Sequence, residues 1–302
     1  MSIPALSGQL RSNFKIGVFD SGVGGLTVLR EMLTQLPHES VIYFGDTARV
    51  PYGNRSKTEI LRFVREIIAW FIERDVKMLI MACNTSSALV LEEVRSEFEI
   101  PILGIILPGA RAAVRSGQNI GVLSTEATAK SNAYQQAVKE IDPKATVWQV
   151  GCQEFVPLIE NDRIHDPYTL AIARRYSEPL IDQGIDTLVY GCTHYPHLAP
   201  VFSQIFPNTI TVVDPAKHLT RAAAKELEIL GLSHAETAHS AVDNTEFFVS
   251  GDAEHFAHVS QQWLGYKPSV QQVSVEVLES IHATPSQVAE RLLGLAEKVI
   301  SR

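Results

Sequence analysis

Hydrophobic positions along the chain come in short unbroken runs rather than in strict alternation. Runs at 15–20, 41–46, 78–83, 100–106, 119–124, 146–150, 187–192 and 209–214 are separated by longer amphipathic stretches. A strand that is apolar on both faces is buried on both faces, so these runs predict largely parallel sheets covered by helices. The clearest helix spans 57–73, where Ile60, Phe63, Val64, Ile67, Ile68, Phe71 and Ile72 recur at steps of three and four and form one apolar stripe opposite a charged face.

Repeated strand–helix units define an α/β fold of the doubly wound type, in which ligands sit beyond the carboxyl ends of the strands. Two pairs of strand ends look alike. Gly17-Val-Phe-Asp-Ser is followed later by Ala82-Cys-Asn-Thr, and Gly121-Val-Leu-Ser-Thr by Gly191-Cys-Thr-His. This weak duplication predicts two similar doubly wound, mainly parallel-sheet domains with a site in the cleft between them. The first comprises 1–105 together with 215–302, and the second 106–214. The tail carries helical stretches at 219–230, 253–264 and 285–300 and a short strand at 246–250, too little for a core of its own, so it is expected to fold back on the first domain.

Composition narrows the function. The 302 residues carry a formal charge of −8, and no basic patch offsets it, so polyanions are not the expected partners. No apolar run approaches the roughly 20 residues of a membrane-spanning helix. Residues 1–12 lack the basic start and apolar stretch of a secretory signal, which predicts a cytoplasmic protein with no membrane association. Three cysteines cannot build a disulfide framework, so each needs its own explanation.

Cys83 and Cys192 each end a predicted buried strand and are followed by polar residues opening a helix. Free N–H groups and the positive end of the helix dipole at such a position lower a thiol pKa and bind carboxylates. Two thiols in matching settings suit the inversion of a carbon centre: one takes a proton from one face while the other delivers a proton to the opposite face. With a reference pKa of about 8.5, thiol and thiolate coexist near neutrality after modest tuning. Cys152 has no such setting and reads as packing. Asp20 and His194 are placed to exchange protons with the pair, although Asp20 could equally cap a helix. Gly22, Gly24 and Gly25 do not fit the dinucleotide spacing. A metal site from Cys192, His194 and His197 is disfavoured, because a strand end followed by a turn does not fix three ligands. A binding protein without activity is the remaining class.

Five motifs, in order, carry a family resemblance: Asp20-Ser-Gly-Val-Gly-Gly25, Pro51-Tyr52-Gly53, Ala82-Cys-Asn-Thr85, Phe155-Val-Pro-Leu-Ile-Glu160 and Gly191-Cys-Thr-His-Tyr-Pro196. Together they closely resemble the glutamate racemases of the aspartate/glutamate racemase superfamily. Phe247-Phe-Val-Ser-Gly-Asp252 resembles that family's late strand, so the resemblance spans nearly the whole chain. It implies interconversion of L- and D-glutamate without PLP or metal, supplying D-glutamate for peptidoglycan. By the motif match, Cys83 takes the α-proton from D-glutamate and Cys192 from L-glutamate, with Asp20 supporting Cys83, and Glu160 and His194 supporting Cys192. Ser21, Asn84, Thr85, Thr125, Thr128 and Thr193 match amino-acid-binding positions, and Pro51, Tyr52 and Gly53 match a wall of the pocket. The resemblance also implies a homodimer and, as partners, an activating peptidoglycan precursor and DNA gyrase. Gln153-Glu154 departs from the proline that often follows this cysteine, and the leader is shorter than in relatives activated by the precursor. A superfamily member acting on aspartate would use the same pair of thiols.

Overall fold

The computed structural model describes residues 12–234 and 244–281. Its strands are β1 (Lys15–Asp20), β2 (Val41–Gly45), β3 (Val76–Met81), β4 (Ile102–Gly104), β5 (Asn119–Ser124), β6 (Thr146–Gly151), β7 (Thr187–Gly191), β8 (Thr211–Val213), β9 (Thr245–Val249) and β10 (Val270–Gln272). They form two sheets, ordered β10-β9-β2-β1-β3-β4 and β6-β5-β7-β8, and every pairing is parallel. Four strands of the first sheet, β2-β1-β3-β4, have the winding of the whole second sheet. The repeat legible in the sequence is therefore a repeat of topology.

The helices are α1 (Leu26–Gln35), α2 (Lys57–Ile72), α3 (Asn84–Glu97), α4 (Ile106–Ser116), α5 (Glu126–Ser131), α6 (Ala133–Ile141), α7 (Phe155–Glu160), α8 (Pro167–Asp182), α9 (Ala199–Phe202), α10 (Pro215–Leu230), α11 (Ala253–Leu264) and α12 (Val275–Ser280). Helix α2 starts where its chemistry dictates. Ser56 accepts the Glu59 N–H while Glu59 reaches back to the Ser56 N–H, a reciprocal capping box that satisfies two otherwise orphaned donors. Its apolar stripe buries Phe63, Ile67, Ile68 and Phe71 against the first sheet, and Trp70 lies 4.9 Å, ring centre to ring centre, from both Phe44 and Phe248. A second apolar cluster joins the two sheets: Ile16, Val18 and Ile80 belong to the same core as Ile120, Val122 and Val189, with Leu219 and Ala223 of α10 among them.

Several boundaries differ from the pattern-based ones for physical reasons. Strand β3 begins at Val76 rather than 78, because the charged Lys77 is buried: its ammonium donates to the carbonyls of Ser12 (2.7 Å) and Leu232 (2.8 Å) and pairs with Glu39 at 2.6 Å. The strand ends at Met81, which frees Cys83 to open α3. The apolar run 100–106 splits into a three-residue strand and the start of α4, and Pro108 fits the first helical turn, where its missing N–H costs nothing. Helix α10 begins at Pro215, earlier than 219, since Asp214 caps it by accepting the Ala216 N–H. The polar strand β10 gives no alternation to read and is revealed only by its pairing with β9. The expected helix 285–300 lies outside the described residues. Among the described residues, no helix is long and apolar enough to cross a membrane.

Candidate active site

Asp20 closes β1 and is fully buried. Its carboxylate accepts the Gly22 N–H at 3.0 Å and the Thr193 hydroxyl at 2.9 Å, so it ties the first half of the molecule to the residue after Cys192. Burial raises its pKa, against the opposing pull of the His194 charge and these two bonds.

The glycines after Asp20 are explained by close approach. A Cβ on Gly22 would stand 2.0 Å from Glu160 Oε1, and one on Gly24 would stand 2.3 Å from His194 Nδ1. A Cβ on Gly25 would meet the Asp20 Cβ at 2.5 Å and the Tyr43 hydroxyl at 2.7 Å. The loop is bare so that side chains of the second half can press against the end of β1.

Cys83 follows β3 and adopts extended backbone angles of −63° and 120° as the N-cap of α3, its carbonyl accepting the Ser87 N–H (3.0 Å) and the Ser86 hydroxyl (3.1 Å). Its Sγ lies 3.9 Å from the hydroxyl oxygen of Ser21 and donates to it. Burial pushes the Cys83 thiol up to about 12, aided by the negative charges of Asp20 and Cys192 and opposed by bonds from Ser86. The direction is opposite to the lowered thiol pKa expected of a helix N-terminus, because burial outweighs the helix end.

Cys192 follows β7 in the other half. Its Sγ lies 3.7 Å from His194 Nδ1, and His194 Nε2 lies 2.6 Å from Oε1 of Glu160, the last residue of α7. The same oxygen accepts the Val23 N–H at 3.0 Å. Burial works against a charged imidazole, but hydrogen bonds and charge from Cys192 and Glu160 outweigh it and hold the His194 pKa well above the ordinary histidine value. His194 thus stands between two groups that favour its charged form, Cys192 at Nδ1 and Glu160 at Nε2.

A third cluster spans the two halves. Thr85 and Thr125 hydroxyls lie 2.8 Å apart, Thr125 and Thr128 2.9 Å, and Thr128 donates to Thr85 at 3.3 Å. Gly53, in the single turn Tyr52–Asn54 that follows Pro51, lacks a Cβ that would come 2.9 Å from the Thr125 Cβ. The buried Tyr52 hydroxyl donates to Asp46, whose other oxygen accepts Ser250 at 2.7 Å.

Of the residues singled out from the sequence, Asp20, Ser21, Tyr52, Cys83, Thr85, Thr125, Thr128, Glu160, Cys192, Thr193 and His194 take part in these bonds; Asp20 bonds Thr193 rather than Cys83, and Asn84 and Pro51 make none of them. His197 stands apart from the cluster. It lies against Trp263 with ring centres 3.6 Å apart and the rings tilted by 33°, while both nitrogens of His194 are engaged elsewhere. Among the described residues no group of three or more His, Cys, Asp or Glu is arranged to hold a metal ion. Cys152 is buried with its Sγ 3.6 Å from the Val150 carbonyl. Sequence reasoning missed two tyrosines: Tyr43, donating to the Gly22 carbonyl at 2.7 Å, and Tyr134, donating to Asn84 Oδ1 at 2.7 Å. Neither lies in a motif, and a tyrosine in an apolar stretch gives no sign of where its hydroxyl will end.

Two all-parallel sheets, with one buried thiol just beyond β3 and another just beyond β7, are the frame in which the comparisons define the class, an isomerase of the racemase type. The family model described as Asp/Glu/Hydantoin racemase matches residues 16–223, and the chain belongs to that family. A glutamate racemase of Rippkaea orientalis is 62% identical over 280 residues, covering 93% of this chain and 97% of the relative. Among solved structures, the glutamate racemase isoform RacE1 from Bacillus anthracis aligns with a TM-score of 0.82 at 36% identity, over 87% of this chain and 98% of that one. The glutamate racemase from Francisella tularensis, solved in complex with D-glutamate, aligns with a TM-score of 0.81 at 32% identity, over 89% and 99%.

Proposed function

We propose that the protein is a glutamate racemase that interconverts L- and D-glutamate by two-base proton transfer between Cys83 and Cys192, using neither PLP nor a metal. The observation that carries this reading is the matched placement of the two sulfurs: Cys83, beyond the end of β3, donates to Ser21, and Cys192, beyond the end of β7, lies 3.7 Å from Nδ1 of His194, which Glu160 engages at its other nitrogen. A two-base inversion needs one acid and one base poised together. In one direction Cys192, acting as thiolate, takes the α-proton of L-glutamate, and Cys83, acting as thiol, gives its proton to the opposite face of the carbanion. The sulfurs have then exchanged protonation states, and the reverse reaction starts from D-glutamate.

In this reading the cleft lies between a domain of 1–105 with 215–302 and a domain of 106–214. Asp20 supports Cys83 and Thr193, and Glu160 fixes His194. Ser21, Asn84, Thr85, Thr125, Thr128 and Thr193 supply hydroxyl and amide groups to the ammonium and carboxylates of the substrate, while Pro51, Tyr52 and Gly53 form a wall. The names of the relatives favour glutamate over aspartate. The product feeds cell-wall peptidoglycan in the cytoplasm.

The test replaces Cys83 and Cys192 singly with Ser and follows α-proton exchange in deuterated water from each enantiomer, with no PLP added and after dialysis against a chelator. Wild type is expected to keep its activity, and each variant to lose racemisation by about 10²- to 10⁴-fold. A variant that racemises at the wild-type rate refutes the two-thiol reading, and equal rates on aspartate and glutamate refute the substrate.

A further inference from the structure

One contact across the two halves has no place in the reading above. Tyr134, near the start of α6, is fully buried, and its hydroxyl donates to Oδ1 of Asn84, the residue after Cys83, at 2.7 Å. Asn84 is itself 2% exposed, and its Nδ2 has no protein partner among the described residues. A buried amide nitrogen left with both N–H groups unused is costly unless something else accepts from it.

The orientation of that amide follows from the tyrosine. With Oδ1 toward Tyr134, the phenol proton has an acceptor; turned over, the phenol would face an N–H donor instead, and the amide oxygen would take the unpartnered place. Tyr134 has little room to move, being fully buried in the core that joins the two sheets. Its ring edge is so close to Gly109 that a Cβ there would stand 3.3 Å from Cε1, and α6 starts from Asn132 in the left-handed region at φ 57°. Nor does Tyr134 ionise, because burial raises its pKa far above the ordinary phenol value. It is a fixed donor.

We infer that Tyr134 is a positioning residue for the substrate, locking the Asn84 side chain with its two N–H groups free to donate to a carboxylate of an amino acid bound beside Cys83. The segment 125–134 of the second half then grips the start of α3 at two points, by Thr125 and Thr128 on Thr85 and by Tyr134 on Asn84. The inference rests on the racemase reading for the identity of the ligand, but not for its test, which measures binding.

The experiment is calorimetric titration of L-glutamate into wild type, Tyr134→Phe, Asn84→Ala and the double variant. Tyr134→Phe is expected to weaken binding about threefold to tenfold, the worth of one neutral hydrogen bond. The double variant is expected to bind no more weakly than Asn84→Ala alone, since the tyrosine acts only through the amide. Kinetics on the same preparations should show the Tyr134→Phe loss in KM more than in kcat. Binding unchanged in Tyr134→Phe, or a loss that adds in full to that of Asn84→Ala, overturns the inference. A merely structural role for Tyr134 would produce that additive outcome. Wild type that binds glutamate but does not racemise it would refute the racemase reading and leave the binding comparison to decide the role of Tyr134.

Discussion

The Nε2 of His194 lies 2.6 Å from Oε1 of Glu160, and that carboxylate, together with Cys192, offsets the cost of a charged buried imidazole. Glu160→Gln keeps the shape and removes the charge, so the His194 pKa should fall. The folded-state pKa of His194 is raised above its unfolded value near 6.5. The folded protein therefore binds the extra proton, and the stability this contributes is complete below about 6.5 and is lost as pH rises through the folded-state value. Across that window the wild type should lose stability with a slope of about 1.4 kcal/mol per pH unit from this one group. In the variant the slope should end at lower pH. Urea unfolding at a series of pH values, with the imidazole followed by NMR, checks both; an unchanged His194 titration would show that Glu160 does not hold the charge.

The windings and the two thiols were legible in the sequence because continuous apolar runs report burial on both faces, and because the two Cys motifs sit at equivalent strand ends. The identity of the glycine loop as a docking surface was not, since Gly22 and Gly24 answer to Glu160 and His194, which lie far away in sequence. Polar residues in buried places misled the boundaries in the same way. Lys77 hid two residues of β3 because nothing local announces that Glu39 and two carbonyls will meet its ammonium. Tyr134 was invisible because its function lies in where one hydroxyl ends.

That buried pair yields its own prediction. Lys77 and Glu39 side chains are 0% and 5% exposed, and Glu39 also accepts the His234 N–H at 2.8 Å. Lys77→Met alone strands a buried carboxylate and should cost about 3–5 kcal/mol of unfolding free energy. Adding Glu39→Gln removes the stranded charge and should recover a large part of that loss. Denaturant midpoints of the single and double variants measure it; a double variant no more stable than Lys77→Met would mean that lost packing, not lost charge, dominates.

The proposed wall at Pro51, Tyr52 and Gly53 depends on Asp46. This fully buried carboxylate accepts from Tyr52 and Ser250 and faces Arg49, whose guanidinium lies 4.3 Å above the Phe63 ring and 2.6 Å from Glu66. Tyr52→Phe leaves the ring in place and removes one of these bonds, so it should cost about 1 kcal/mol of stability. Because Gly53 next to it abuts Thr125, the loosened turn should raise KM for glutamate while kcat changes little. Steady-state kinetics beside thermal unfolding separates the two effects, and a fall in kcat at constant KM would contradict the wall assignment.

The glycine loop gives the sharpest contrast between strain from crowding and strain from backbone angle. At Gly22 a methyl group would fall 2.0 Å from Glu160 Oε1, and at Gly24 2.3 Å from His194 Nδ1, so an alanine at either site must displace one of these two side chains from the end of β1. Overpacking of this kind costs about 1–3 kcal/mol. Here the displaced groups are also those that orient Cys192, so activity should collapse along with stability. Gly184 is the control: its φ is +64° with nothing within 4 Å of an added Cβ, so Gly184→Ala should cost about 1 kcal/mol through backbone strain and leave kcat/KM intact. Measuring unfolding free energy and kcat/KM for the three variants decides the matter. If Gly22→Ala and Gly24→Ala lost stability but kept wild-type kcat/KM, the loop would be a structural seam, and the link from Glu160 through His194 to Cys192 would carry no part of the chemistry.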